Sequence, residues 1–317
     1  MTVWVLDRGE PDWEARELIT EAGRRGHEAC FVGLDILEAS SAGLVVRGVP
    51  VEIPEHVFVR SQVFTRSTRA GRAADLAILS LLESLGARLV SSAASTQLCA
   101  NKLTLSAMLG AHGLPTPETR AVRTLSQVKE LGCRWPAFVV KPVYGHASID
   151  VFGVGVVPRG PDGDLNEREL IHVHHLLANH GELVAQELVY AREEAFTTAR
   201  VCLIGTTLAA AYSLHATATM PDWPGKTIPA LERHVLADLV RLEAVARAAQ
   251  SALDLASCTV DLVAIDGQYL VIEVNPMVSV WESWGDCRLV EKDPAALHLD
   301  LIAGDDRGTA EPIGIES

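Results

Sequence analysis

The stretch that decides the fold is Thr259-Val-Asp261-Leu-Val-Ala-Ile265-Asp-Gly-Gln-Tyr269-Leu-Val-Ile-Glu273-Val-Asn275-Pro276. Asp266-Gly267 is a turn signal between two runs of Val, Ile and Leu, so the stretch reads as a β-hairpin buried on both faces. Asp261, Glu273 and Asn275 interrupt that apolar setting. A carboxylate there is unfavourable unless it is paired or binds a metal. Glu273 and Asn275 are two apart and share one face of their strand. Register sharpens the expectation. A two-residue Asp266-Gly267 turn opposes Asp261 to Ile272 and sends Glu273 to the other face. A three-residue loop, Asp266–Gln268, opposes Asp261 to Glu273. Only the second register gathers the three oxygen donors, so a longer loop or a bulge around Gly267 is expected. Oxygen donors of this kind suit Mg²⁺, with water and phosphate completing its shell. The competing reading is an edge strand with exposed carboxylates.

Working outward, residues 231–255 read as the longest helix, with Leu231, Val235, Leu239, Leu242, Ala246, Ala249 and Leu253 forming a stripe at helical spacing. Upstream lie strands near 198–204 and 207–214 and an irregular stretch, 217–229. Before them come a strand at 137–141, one at 151–157, a helix at 167–180 and a strand at 183–188. Ser95–Ala111 reads as a single helix carrying Asn101-Lys102, ended by Gly113-Leu-Pro115-Thr-Pro117. At the N-terminus, a strand at 3–6, a helix at 12–25 with Trp13, Leu18, Ile19 and Ala22 inward, and strands at 28–32, 57–59 and 88–90 form an open α/β layer. The expected units are an N-terminal α/β domain (1–95), a central lobe (96–190), a larger C-terminal lobe with the metal site (191–303) and a flexible tail (304–317).

The 317 residues suit two or three subdomains around a cleft. With 27 Lys+Arg against 41 Asp+Glu, the formal charge of -14 argues against nucleic acid or an anionic membrane as a partner. Six scattered cysteines without a C-x-x-C pair read as free thiols in a reducing cytoplasm. The first residues do not read as a signal peptide, and no apolar run approaches the roughly 18 residues of a membrane helix.

Lys141 leaves an apolar strand into Pro142-Val-Tyr144-Gly145-His146-Ala-Ser148, a setting that can meet phosphate. Strand-end lysines that are merely solvated are the alternative. Arg60, Arg66 and Arg69 follow the strand at 57–59 and either fork onto a substrate carboxylate or are solvated.

The order Asn101-Lys102, Val-Val-Lys141-Pro, Gln186-Glu187-Leu-Val189, Arg200, Asp261 and Glu273-Val-Asn275 resembles the ATP-grasp superfamily. The resemblance covers residues 60–285 and is nearest to the ribosomal protein S6–glutamate ligase and lysine-biosynthesis glutamate ligase branch. D-alanine–D-alanine ligase shares the skeleton more distantly. It implies an α/β fold of α+β lobes: a Rossmann-like pre-ATP-grasp domain, a small central lobe and a larger C-terminal lobe, with ATP between the lobes. It further implies that Lys102 and Lys141 contact ATP phosphates beneath the loop of Gly145, His146 and Ser148. Glu187, Leu188 and Val189 would form the adenine hinge, with Gln186 beside it, and Glu194 would bind the ribose. Arg200 would steady an acyl phosphate and act with Lys141 in catalysis. Asp261, Glu273 and Asn275 would hold one or two Mg²⁺ ions, with Mn²⁺ as a substitute.

Three departures stand out. The phosphate loop keeps one glycine where the family has several. Lys226 falls near a family Asn. Met277-Val-Ser-Val-Trp281-Glu282-Ser-Trp284 replaces Ser-Pro-Gly after Pro276. The implied reaction is ADP-forming amide synthesis from a small-molecule carboxylate and an amine, probed further by His215 and Lys226 as substrate contacts. A homo-oligomer is compatible with this reading. The alternatives are an ATP-grasp small-molecule kinase or carboxylase and a non-catalytic ATP-binding module. A dinucleotide-dependent oxidoreductase is disfavoured because Asp7-Arg-Gly9-Glu-Pro11 lacks G-x-G-x-x-G.

Overall fold

The computed structural model describes residues 1–41, 43–60, 69–145, 150–155, 165–188, 197–215, 232–234, 238–265, 267–278 and 293–304. The chain begins with β1 (Thr2–Asp7), α1 (Trp13–Arg24) and β2 (Glu28–Gly33). A small antiparallel sheet follows: β3 (Leu37–Ser40), β4 (Gly43–Val46) and β5 (Val49–Pro50). Then come β6 (His56–Val59), α2 (Arg69–Ser84) and β7 (Arg88–Leu89). The order β2-β1-β6-β7 is parallel throughout, the expected Rossmann-like layer. Asp12 caps α1 by accepting from the Ala15 N–H, and Ala15, Leu18 and Ala22 form its buried stripe. Trp13 was expected on that stripe but is 41% exposed. At 3.6 residues per turn it sits roughly 200° from Ala15 and points away.

The expected single helix at 95–111 is two: α3 (Ala93–Ala100) and α4 (Lys102–Ala111). Asn101 leaves helical geometry (φ -93, ψ 100), and its Oδ1 accepts from the Leu103 and Thr104 N–H groups. It therefore ends one helix and N-caps the next, which sets Lys102 at the first position of α4. Next come β8 (Thr119–Val122), α5 (Leu125–Arg134), β9 (Phe138–Pro142), β10 (Phe152–Val154), α6 (Glu167–His180) and β11 (Leu183–Glu187). Their antiparallel sheet, β10-β9-β11-β8, packs Phe138, Val140, Leu183 and Ala185 against Val128, Val173 and Leu176 of the helices.

The last unit contains β12 (Thr197–Ile204), β13 (Thr207–His215), β14 (Glu232–His234), α7 (Leu239–Ala252), β15 (Ser257–Ile265), β16 (Gln268–Asn275) and α8 (Pro294–Ala303). The five strands run β14-β13-β12-β15-β16. The stripe read over 231–255 holds only from Leu239. Glu232–His234 pairs with β13 as an edge strand instead, so α2, at 16 residues, is the longest described helix. One face of the sheet buries Val201, Leu203, Val260, Leu262, Val271 and Val274 against α7 and also against Cys99, Leu105 and Leu109 of α3 and α4. The helix pair bearing Lys102 thus shares its core with this sheet.

α8 packs on both α1 and β12, and Arg25 of the N-terminal layer pairs with Asp300 at 2.7 Å. Buried His298 anchors α8. Its Nδ1 donates to the Pro294 carbonyl (2.9 Å), which leaves Nε2 to accept from Ser257 Oγ (3.1 Å). Burial pushes its pKa down to about 4, so it stays neutral. The five described cysteines are free, and Cys287 lies outside the described residues, as does the tail beyond residue 304. No helix among the described residues is long and apolar enough to cross a membrane.

Candidate active site

Strand register assembles the charged groups. Arg200 on β12 lies opposite Asp261 on β15, and Asp261 lies opposite Glu273 on β16. Tyr212 on β13 extends the row on the other side of Arg200. One strand residue pair further along, Cys202, Thr259 and Asn275 form the next row on that face. The opposition of Asp261 to Glu273 matches the sequence reading, but the route to it differs. The turn is the short one, with Ile265 opposite Gln268, and the offset comes from a bulge between Asp261 and Leu262. Leu262 pairs with Val271 while Asp261 pairs with Glu273, so Ile272 is the extra residue. The bulge shifts the phase of β16. Val271 and Val274, three apart, face the same core, and Glu273 is turned to the opposite side.

Asp261 is held by Arg200 in a fork: Nε donates to Oδ1 (2.6 Å) and an Nη to Oδ2 (2.7 Å). Both groups are largely buried, a setting in which bidentate geometry counts. Burial alone would lower the Arg200 pKa, but Asp261 outweighs it and holds the pKa well above the usual value. Glu273 accepts from Lys102 Nζ at 2.7 Å. Desolvation would raise the Glu273 pKa. The charges of Lys102 and Lys141, the Lys102 hydrogen bond and the charge of Arg200 reverse this and bring it to about 2. Part of the side chain still reaches solvent, being 34% exposed.

Lys141 on β9 faces the same carboxylate, yet its Nζ donates to the neutral Gln186 Oε1 (2.8 Å) on β11. Gln186 Nε2 in turn donates to Thr119 Oγ1 (3.1 Å). Burial, aided by repulsion from Lys102, brings the Lys141 pKa down to about 8, with Glu273 opposing. Lys102 also donates to the Gly145 carbonyl at 3.0 Å. A Cβ at Gly145 would meet nothing closer than 3.7 Å, so space does not demand this glycine.

Asp261, Glu273 and Asn275 form an all-oxygen donor set on adjacent strands, which fits a hard cation such as Mg²⁺. Glu273 has one oxygen outside the Lys102 bond, whereas both Asp261 oxygens accept from Arg200. Among the described residues no group of three His, Cys, Asp or Glu side chains is arranged to hold a metal.

At the expected hinge, the Glu187 N–H donates to the Glu118 carbonyl (2.9 Å) and the Leu188 N–H to the Ala137 carbonyl (3.0 Å). Val189, Glu194, His146, Ser148, Arg66 and Lys226 lie outside the described residues, as do the side chains of Arg69 and His215. Arg60 is neither exposed nor solvated. It is 3% exposed, pairs with Asp12 at 2.8 Å and with Glu14, and touches the Met277 sulfur. Its Nε is buried without a hydrogen-bond partner. Sequence reasoning did not single out Tyr144, Ser91, Asp12 or Glu14. Ser91 Oγ donates to the Pro276 carbonyl (2.9 Å) and ties the end of β16 to the N-terminal layer. The N-cap pattern at Asp12 was a usable signal for that residue.

No family model matches the chain. It is 26% identical over 190 residues to the tetrahydromethanopterin:alpha-L-glutamate ligase of Methanosarcina acetivorans, covering 54% of this chain and 59% of that one. The chain thus matches under two thirds of that relative's length. Among solved structures, D-cycloserine synthetase aligns with a TM-score of 0.70 and 21% identity over 97% of this chain and 100% of that one. The ATP-grasp ligase PsnB, complexed with a phosphomimetic variant of minimal precursor, Mg and ADP, aligns with a TM-score of 0.63 and 19% identity over 95% and 97%. With its parallel N-terminal sheet, two antiparallel sheets after it in this order and these likenesses across nearly its whole length, the chain has the ATP-grasp fold.

Proposed function

We propose that this chain is an ATP- and Mg²⁺-dependent ligase that joins a carboxylate to an amine. The observation that carries the reading is the row Arg200–Asp261–Glu273, with Lys102 and Lys141 acting on the same carboxylate. Among the described residues, three cations against two carboxylates make the proposed cleft positive in a chain of formal charge -14. Such a cleft suits a polyphosphate that arrives with a divalent cation. The similarity to a glutamate ligase and to D-cycloserine synthetase supports the same reaction class.

Asp261, Glu273 and Asn275 would hold Mg²⁺, which neutralises phosphate charge when bound. Lys102 and Lys141 would meet phosphate oxygens. A substrate carboxylate oxygen attacks the γ-phosphorus and the β–γ bridging P–O bond breaks, giving ADP and an acyl phosphate. The amine nitrogen then attacks the acyl carbon, inorganic phosphate leaves and the nitrogen loses a proton. Arg200, fixed by its fork on Asp261, would stabilise charge on the acyl phosphate. Positioning and charge neutralisation supply the catalysis, and no nucleophilic side chain is required. An amino acid or small amine in the cytoplasm is the preferred acceptor.

The test is ADP release from Mg-ATP across pairs of amino acids, with product mass. ADP release that needs Mg²⁺, a carboxylate and an amine, with an amide product, supports the reading. A stable phosphorylated product without an amide would indicate a small-molecule kinase and overturn it.

A further inference from the structure

Val143, Tyr144 and Gly145 lead from β9 toward the phosphate loop, and the pair Asn101-Lys102 holds all three. The Lys102 N–H donates to the Val143 carbonyl at 3.0 Å. Asn101 Nδ2 donates to the Tyr144 hydroxyl at 3.1 Å. Lys102 Nζ donates to the Gly145 carbonyl at 3.0 Å. The amide orientation of Asn101 follows from chemistry. The helix N–H groups need an acceptor, so Oδ1 must face them, and Nδ2 is left for Tyr144. On its other side, the Tyr144 ring lies under the Arg72 guanidinium, with the guanidinium carbon 4.3 Å from the ring centroid. That is within cation–π range. Arg72 belongs to α2 of the N-terminal layer, and Lys102 reaches Glu273 of the C-terminal sheet.

We propose that Tyr144 is a positioning residue for Lys102, and that Arg72 ties it to the N-terminal layer; this rests on the reading of the cleft as a nucleotide site. Lys102 carries its charge on a flexible four-carbon stem, so its placement depends on the start of α4 and on what the ammonium bonds. The Tyr144 hydroxyl fixes the cap that begins α4. The ring, stacked under Arg72, fixes the segment whose Gly145 carbonyl receives the ammonium. Tyr144 makes no contact with the reacting atoms in this scheme. It acts through Lys102.

The experiment measures Mg-ATP affinity by calorimetry and the nucleotide-free melting temperature for the wild type, Tyr144→Phe, Tyr144→Leu, Arg72→Gln, Arg72→Lys and the Tyr144→Leu/Arg72→Gln double variant. Tyr144→Phe keeps the ring and loses one hydrogen bond, so the dissociation constant should rise about three- to tenfold. Arg72→Gln should raise it about two- to fivefold, and Arg72→Lys should restore most of that. In the Tyr144→Leu background, Arg72→Gln should have no further effect. Melting temperatures should hold for Tyr144→Phe and Arg72→Gln. A wild type that binds Mg-ATP with both of these variants binding equally well would overturn the proposal alone. So would an Arg72→Gln penalty that persists without the Tyr144 ring, or lower melting temperatures with unchanged affinity. A wild type that fails to bind Mg-ATP would overturn the nucleotide reading and this proposal with it.

Discussion

The two sheets that contribute to the candidate site handle charge in opposite ways. On the C-terminal sheet, Arg200 and Asp261 satisfy one another through two short bonds, placed by the register of neighbouring strands. On the central sheet, the Lys141 ammonium donates to a neutral amide oxygen among the described residues, and burial brings its pKa down to about 8 although Glu273 opposes this. The first arrangement is a finished scaffold. The second leaves a desolvated cation, which would gain from the phosphate proposed to bind there. Lys102 stands between them, joined to Glu273 on one sheet and to Gly145 beyond the other.

The contrast breaks most visibly at Asp261. In Asp261→Ala the buried Arg200 loses both bonds, and unfolding free energy should drop by about 3–5 kcal/mol in chemical denaturation. A drop under about 1 kcal/mol would place the pair with solvated surface ion pairs and erase the contrast. Lys141→Met should act in the other direction on stability. It removes a cation that burial disfavours, so nucleotide-free stability at pH 7 should rise, by up to about 3 kcal/mol. The same variant should bind Mg-ATP more weakly, and a loss of stability would contradict the account.

The pH dependence sharpens the same point with a smaller effect. An unfolded lysine keeps its proton to about pH 10.5, whereas Lys141 releases it near 8. Between those values the unfolded chain binds more protons, so this residue makes stability rise with pH, by at most about 1.4 kcal/mol per unit. Mg-ATP affinity should fall across the same window, by up to about tenfold per unit, with proton uptake on binding. Titrations in buffers of different ionisation enthalpy read this directly. Lys141→Met should lose the slope in both measurements.

Much of the site was legible because its spacing is rigid. Two residues along a strand return to the same face, so Glu273 and Asn275 had to share one, and the apolar neighbours made Asp261 conspicuous. Spacing constrains only the sum of turn and bulge, however, so the offset at Ile272 was invisible. Leu270, Val271 and Ile272 are all apolar and hide the shift of phase. The break at Asn101 was masked by helix-forming residues on both sides, although Asn is itself a favoured N-cap. The apolar stripe of α7 continues upstream of Leu239 at helical spacing, yet Glu232–His234 within that stretch pairs with β13. The burial of Arg60 depends on Asp12 and Glu14 of another element, a long-range pairing that no local pattern carries. The short strands over 37–50 are too brief to register in periodicity.

The most direct measurement is Mg²⁺-dependent ADP release by the wild type and by the Asp261→Ala/Glu273→Ala double variant, across amino-acid pairs with amide product followed by mass. The account predicts amide formation and ADP release in equal amounts from the wild type. From the double variant it predicts a loss of about a hundredfold or more, since even residues that only support a metal ligand carry up to that much. Full ADP release by the double variant, or ADP release that needs no amine and yields no amide, would contradict it.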